Sequence, residues 1–487
     1  MSDPVLPPAL LHPEMMVIGD SLAQGCRSLT VSRDLCAQSW GSRVAAAQGW
    51  RFSTPDLPRP VLFDLEDEVR RLGDFALLST SGVQFGGIVT RLMANLRAWL
   101  ANRPASTHVA FDNLGLSGAQ PCDLYARTAA TSQAEITRIL PNNGAGQILL
   151  HRGEIGALHL AINGRYTLNP SQDARFAGFT PLDWVRARLP RRLFMQIGHN
   201  NGLYAIGSSA SDKPFDAPND NGDGFYASFE RLGAELAALP ADVGLIACLL
   251  LPRVGAVANL RPRSAVRDAK GYAESYEPVF ATTGNTFTGA RMAEIDAAIH
   301  AANDKIRATL TTAAEKRGNA GRLRFFDSFA MFGQYDFKNS LNPARRIPLD
   351  GGHAIDNDYV AGKLIWQVPF PPGTPPYRKE LAGGGFQSID GMHPTACGYA
   401  VLAHELMKGL GLKDPGLPTM LHQGFVDDNL LHDYPLKLDR LVQFFGLLRL
   451  THQHGVRAPE PKQVIAEGEQ DLHVQDAVSL IKELFNR

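Results

Sequence analysis

Short apolar runs and longer amphipathic stretches alternate along most of the chain. Five runs have the length and apolar content of buried strands: "MMVIGDS" (15–21), "STHVAFDNLG" (106–115), "RRLFMQIGHN" (191–200), "VGLIACLLLP" (243–252) and "LRFFDSF" (323–329). Between them, apolar residues recur at helical spacing in 87–102, 225–239, 290–318 and 395–411. Strand and helix in strict alternation predict an α/β fold with a parallel sheet and right-handed crossovers.

Three stretches break that rhythm: residues 120–185, 255–288 and 334–388. Within the first, "GQILLHRGEIGALHLAINGRY" (146–166) alternates and predicts a hairpin. The other two are rich in Gly, Pro, Asn and aromatics, as in "FPPGTPPYRKELAGGGF" (370–386), and suit lids, binding loops or small subdomains. All three are taken as insertions in one domain spanning 1–414. Residues 415–487 then form a helical extension packed on the core, with helical patterns at "LDRLVQFFGLLRL" and "DAVSLIKELFNR". So apolar a helix as the first of these suits core or a subunit interface.

Bulk properties narrow the partners. The chain has 487 residues, 20% of them charged, with a formal net charge of −1, so no global field draws it to nucleic acid or an acidic membrane. No apolar run reaches the roughly 18 residues that span a bilayer, which leaves small-molecule partners and no integral membrane segment. The beginning, "MSDPVLPPALLHPEMM", has no basic region ahead of an apolar one, and the expected location is cytoplasmic, with leaderless export left open. Five widely spaced cysteines with no C-x-x-C among them predict neither a disulfide framework nor a zinc knuckle. The pattern is silent on oligomeric state.

Candidate chemistry starts where the first strand ends on "GDSLAQG". A serine at a sharp strand-to-helix turn sits where unpaired backbone N–H groups collect, a good place for a nucleophile. On this stretch alone an ordinary helix cap is the simpler reading. Such a serine needs a base, and "SIDGMHPTACGYAVLAHEL" supplies one: Asp390 stands three residues before His393, and a helix follows. On a turn, that spacing lets the carboxylate hold one imidazole nitrogen while the other faces outward.

These two segments together resemble the SGNH (GDSL) hydrolases, serine esterases and lipases on a flavodoxin-like three-layer α/β/α sandwich. Two further blocks support the resemblance: "DNLGLSGAQPCDL" (112–124) is similar to the second family block and "QIGHNNG" (196–202) to the third, Gly-x-Asn-Asp. The resemblance implies Ser21 as nucleophile, His393 as general base and acid, and Asp390 as its orienter. It also implies an oxyanion hole of the Ser21 and Gly118 N–H groups and the Asn200 amide, and needs no cofactor. Asn201 stands where the family has Asp, so the bracing of that loop differs. His199 and Asn201 are candidates to line the pocket, His199 being equally a structural histidine. The blocks cover the ends and central strands; the insertions match nothing.

The expected activity is therefore hydrolysis of carboxylic acyl esters, lipid-like or short-chain. A carbohydrate O-acetylesterase is the alternative within enzymes, and a non-catalytic binding protein that kept the fold the alternative outside them. No G-x-S-x-G, Walker A, G-x-G-x-x-G or H-E-x-x-H occurs. No metal site is assigned. One loop, Asn219, Asn221, Asp223 and Glu230, has oxygen side chains in the order of a calcium loop, although a polar turn capping the next helix explains it better.

Overall fold

The computed structural model describes residues 6–71, 78–101, 106–141, 154–215, 224–264, 266–278, 286–348, 354–360 and 385–427. All five predicted strands form. They are β1 (Met16–Gly19), β2 (Asn113–Gly115), β3 (Arg192–Gln196), β4 (Leu245–Leu249) and β5 (Leu323–Phe326). They make one parallel sheet in the order β2-β1-β3-β4-β5.

The sheet is covered on both sides, which is why its strands read as continuous apolar runs. Met16, Ile18, Leu193, Met195, Ile246 and Cys248 belong to one hydrophobic cluster. Their sequence neighbours Met15, Val17, Phe194, Ala247 and Leu249 belong to another. Strand side chains alternate faces, so the two clusters are the two sides of the sheet. Ile295 and Ile299 of the helix Gly289–Lys316 pack on the first side, and Val44 and Leu406 of the helices Trp40–Gln48 and Ala396–Gly409 on the second. The arrangement is compatible with a three-layer α/β/α fold.

From β1 the chain goes to β2 on one side, then crosses back to β3 on the other. The carboxyl end of β1 lies at that reversal, where the loops of neighbouring strands diverge and leave a crevice. Ser21 follows directly.

The predicted hairpin at 146–166 is corrected. Residues 142–153 lie outside the described residues, and Ile155–Thr167 is an α-helix. Leu158, Ala161, Ile162, Asn163, Arg165 and Tyr166 are all buried, so the helix is enclosed on most sides and carries no single apolar stripe. Without that stripe, short-range alternation imitated a strand. The second and third insertions each contribute a small three-stranded sheet, Leu260–Pro262, Ser275–Pro278 and Phe287–Thr288 in one, Ile347–Pro348, Ala354–Val360 and Gly385–Gln387 in the other, whereas the described part of the first is helical. Of the extension, the helix Leu417–Asp427 is described, and its Leu421 packs with Cys397 and Val401. The helical patterns at 438–450 and 476–487 lie outside the described residues. Among the described residues, no helix is long and apolar enough to cross a membrane.

Candidate active site

β1 ends in a tight turn whose cap is Asp20, not Ser21. The Asp20 N–H donates to the Gln196 carbonyl at 3.0 Å, extending the β1–β3 pairing, and its side chain accepts the Leu22 N–H at 3.2 Å. The helix it starts, Ser21–Gln24, is a single turn. Gly25 closes it at φ +97°, a left-handed conformation that favours glycine, and donates its N–H to the Ser21 carbonyl at 3.1 Å. With the cap supplied by the neighbour, the Ser21 hydroxyl has another partner.

That partner comes from 372 residues away: His393 Nε2 lies 3.0 Å from Ser21 Oγ. His393 Nδ1 lies 2.6 Å from Asp390 Oδ2. Asp390 is completely buried and its second oxygen accepts the backbone N–H groups of Met392 and His393, both at 2.9 Å. A carboxylate gripped this way fixes which imidazole nitrogen carries the proton and leaves Nε2 to accept from the serine.

A further grip on Asp390 has no signal in the sequence. The Leu29 N–H donates to Asp390 Oδ2 at 2.8 Å, and the Ser28 N–H donates to Ser388 Oγ at 2.8 Å. Ser28 and Leu29 both hold positive φ, +53° and +58°, a conformation that costs non-glycine residues of order 1 kcal/mol or more each. The strained turn is tied down by Glu66, which accepts from the Ser28 hydroxyl at 2.6 Å and pairs with Arg27 at 2.9 Å, all buried.

Gly118 and Asn200 line the same cleft as Ser21 and His393. Gly118 holds φ +91°, again glycine territory. Asn200 donates one amide N–H to the Ala119 carbonyl at 2.9 Å, which ties the two loops together and leaves its second N–H for another acceptor. His199 and Asn201, expected in the pocket, are not among the residues lining this cleft. The backbone turns after Gly198, and His199 points back beneath the serine turn, where Nδ1 meets Asp20 Oδ2 at 2.6 Å. Asn201 is buried, and its carbonyl accepts the Phe215 N–H at 2.8 Å. Both brace the loop that presents Asn200.

A second brace escaped the sequence reading. Gln24 and Asn163 exchange amide hydrogen bonds of 2.9 and 2.8 Å, and Gln24 Oε1 also accepts the Ser117 N–H at 2.8 Å. Both side chains are fully buried. They fasten the serine helix to the Gly118 loop. Asn163→Leu strands the Gln24 amide and is expected to cost about 1–3 kcal/mol in a denaturant titration.

Burial alone would raise the Asp390 pKa, but the charge of His393 and three hydrogen bonds, from the His393 ring and the Met392 and His393 N–H groups, hold it below 3.8. Burial likewise disfavours His393 as imidazolium, yet the Cys26 sulfur and the Asp390 carboxylate outweigh that and raise it well above 6.5. The signs fix a window. Stability from Asp390 is present above its unfolded pKa and lost as pH falls through the depressed folded one. Stability from His393 is present below 6.5 and lost as pH rises through the raised one. Only neutral His393 can accept the serine proton, so any turnover through this pair should rise with pH. A plot of kcat/KM against pH is expected to inflect above 6.5.

The cleft beside Ser21 has a volume of about 1260 Å³. Its lining mixes apolar side chains such as Leu29, Leu160 and Ala126 with Gln120, Thr131 and charged groups. The charges form one triad and one pair: Arg127 with Asp123 at 2.6 Å and Glu135 at 2.7 Å, and Arg138 with Glu154 at 2.5 Å. The Tyr204 ring packs 6.3 Å from His393, centroid to centroid, and burial together with Asp390 holds its phenol protonated.

Of the calcium-loop residues, Asn219, Asn221 and Asp223 lie outside the described residues, and Glu230 is exposed on the helix Phe225–Ala237. Among the described residues, no three His, Cys, Asp or Glu side chains cluster as a metal site. All five cysteines are buried. No protein-family model, no curated protein and no solved structure matches the chain.

Proposed function

We propose that this protein is a serine ester hydrolase of the SGNH type. The reading rests above all on the 3.0 Å approach of Ser21 Oγ to a histidine whose other nitrogen is held by a buried carboxylate. It is supported by the strand order 2-1-3-4-5, which flavodoxin-like sheets share, and by the site's place at the reversal of that order.

In this reaction Ser21 attacks the ester carbonyl while His393 Nε2 takes its proton, and Asp390 stabilises the imidazolium that results. The Ser21 and Gly118 N–H groups and the second Asn200 amide N–H meet the oxyanion. His393 then gives its proton to the departing alcohol, and water repeats the cycle on the acyl-serine. No cofactor enters.

The cleft favours one branch of the expected substrates. A tunnel for a long acyl chain would be apolar, whereas this lining carries five charged side chains and several neutral polar ones among its apolar groups. A short acyl ester of a polar alcohol, such as a carbohydrate O-acetate, suits it better than a lipid. Assays with p-nitrophenyl esters of increasing chain length, run beside Ser21→Ala, test both points. Turnover should be Ser21-dependent and fall from acetate to the long chains. Absence of turnover on every ester contradicts the reading, and a long-chain preference contradicts the polar branch.

A further inference from the structure

His159 lines the cleft together with Ser21 and His393, on the helix Ile155–Thr167, and plays no part in the reaction above. Its Nε2 is shielded from solvent and has no hydrogen-bond partner among the described residues. A polar atom kept in that state carries a desolvation cost unless something not part of the protein meets it. Other polar groups along the same wall are committed: the Arg127 guanidinium is held between Asp123 and Glu135.

We propose that His159 is a specificity residue, whose ring turns on substrate binding so that Nε2, which gives up no hydrogen bond in leaving its shielded position, meets a hydroxyl group of the substrate's alcohol part, and that this alcohol is a neutral polyol of the sugar type. The proposal rests on the ester-hydrolase reading and deepens it.

Three observations support the class of ligand. Both guanidiniums of the wall are held by carboxylates, so it offers hydrogen-bonding edges without an uncommitted cation to attract an anionic group. The cleft exceeds the size of most small-ligand pockets, leaving room for a group larger than a simple alcohol. His159 itself stays neutral: burial first, and the charge of His393 second, bring its pKa down to about 4. A neutral imidazole nitrogen either donates to or accepts from a hydroxyl, according to its tautomer. It also adds no positive charge beside His393 when that ring is protonated during turnover.

The test compares two acetates that share an acyl group: a mono-O-acetyl hexose and p-nitrophenyl acetate. For His159→Leu, the ratio of kcat/KM on the sugar ester to kcat/KM on the aryl ester should fall about ten- to a hundredfold, carried by KM. His159→Gln, which restores a hydrogen-bonding atom, should recover much of the loss. An unchanged ratio, through equal losses or none, overturns the proposal. A second measurement needs no turnover. In Ser21→Ala protein labelled with 13C at histidine, the His159 ring signal, assigned by its absence from His159→Gln, should shift on adding free hexose. An unmoved signal overturns the proposal even if the protein proves active. Conversely, wild-type protein that hydrolyses neither ester contradicts the hydrolase reading, while the ring signal still reports on His159.

Discussion

Replacing Ser21 with alanine is expected to lower kcat on the best ester substrate by at least about 10⁴-fold, because the nucleophile of such a set cannot be replaced by water at the same position. The fold should survive. Ser21 does not cap its helix, since Asp20 performs that task, and its hydroxyl faces His393 Nε2. Circular dichroism and the denaturation midpoint should therefore stay close to those of the wild type while activity vanishes. A structural serine would give the opposite result, with stability lost and any activity falling only in proportion.

Asp390→Asn is expected to be nearly as damaging to turnover, about 10³- to 10⁴-fold in kcat, and in addition to destabilise the protein. One carboxylate oxygen accepts the N–H groups of Met392 and His393, and the other accepts the Leu29 N–H and faces His393 Nδ1. Whichever way an asparagine amide turns, its NH₂ confronts donors, so at least one buried N–H is left without an acceptor. That should cost about 1–3 kcal/mol. The imidazole also loses the charge that helps raise its pKa, so the inflection of any residual activity with pH should move downward. The two variants are thus distinguishable: Ser21→Ala removes chemistry alone, while Asp390→Asn removes chemistry, stability and the position of the pH profile.

Much of this site was legible in the sequence because its chemistry sits on short local patterns. Strands buried on both faces leave unbroken apolar runs, and all five were placed. Ser21 stands at the end of the first run, and Asp390 and His393 share one turn. What the sequence did not carry is the long-range bracing. Leu29 donates to Asp390 through a backbone N–H across 361 positions, and no residue type signals a backbone donor. Gln24 and Asn163 pair across 139 positions, and each alone looks like any polar residue on a helix. For His199 the sequence left two places open, pocket or structural brace, because the direction of a side chain after Gly198 depends on how the loop turns; it braces Asp20. The helix Ile155–Thr167 was missed because an enclosed helix loses the one-sided stripe that distinguishes it from a strand. His159 went unremarked with it.

The central claim is that a hydroxyl near one end of the chain and an imidazole near the other act as one nucleophile. Labelling with a fluorophosphonate followed by peptide mass spectrometry reads this directly, since the reagent phosphonylates only a serine activated by a neighbouring base. One equivalent attached to Ser21, and none after His393→Ala, is the expected result. Absence of label on folded wild-type protein, or equal labelling of Ser21 with and without His393, would contradict the account.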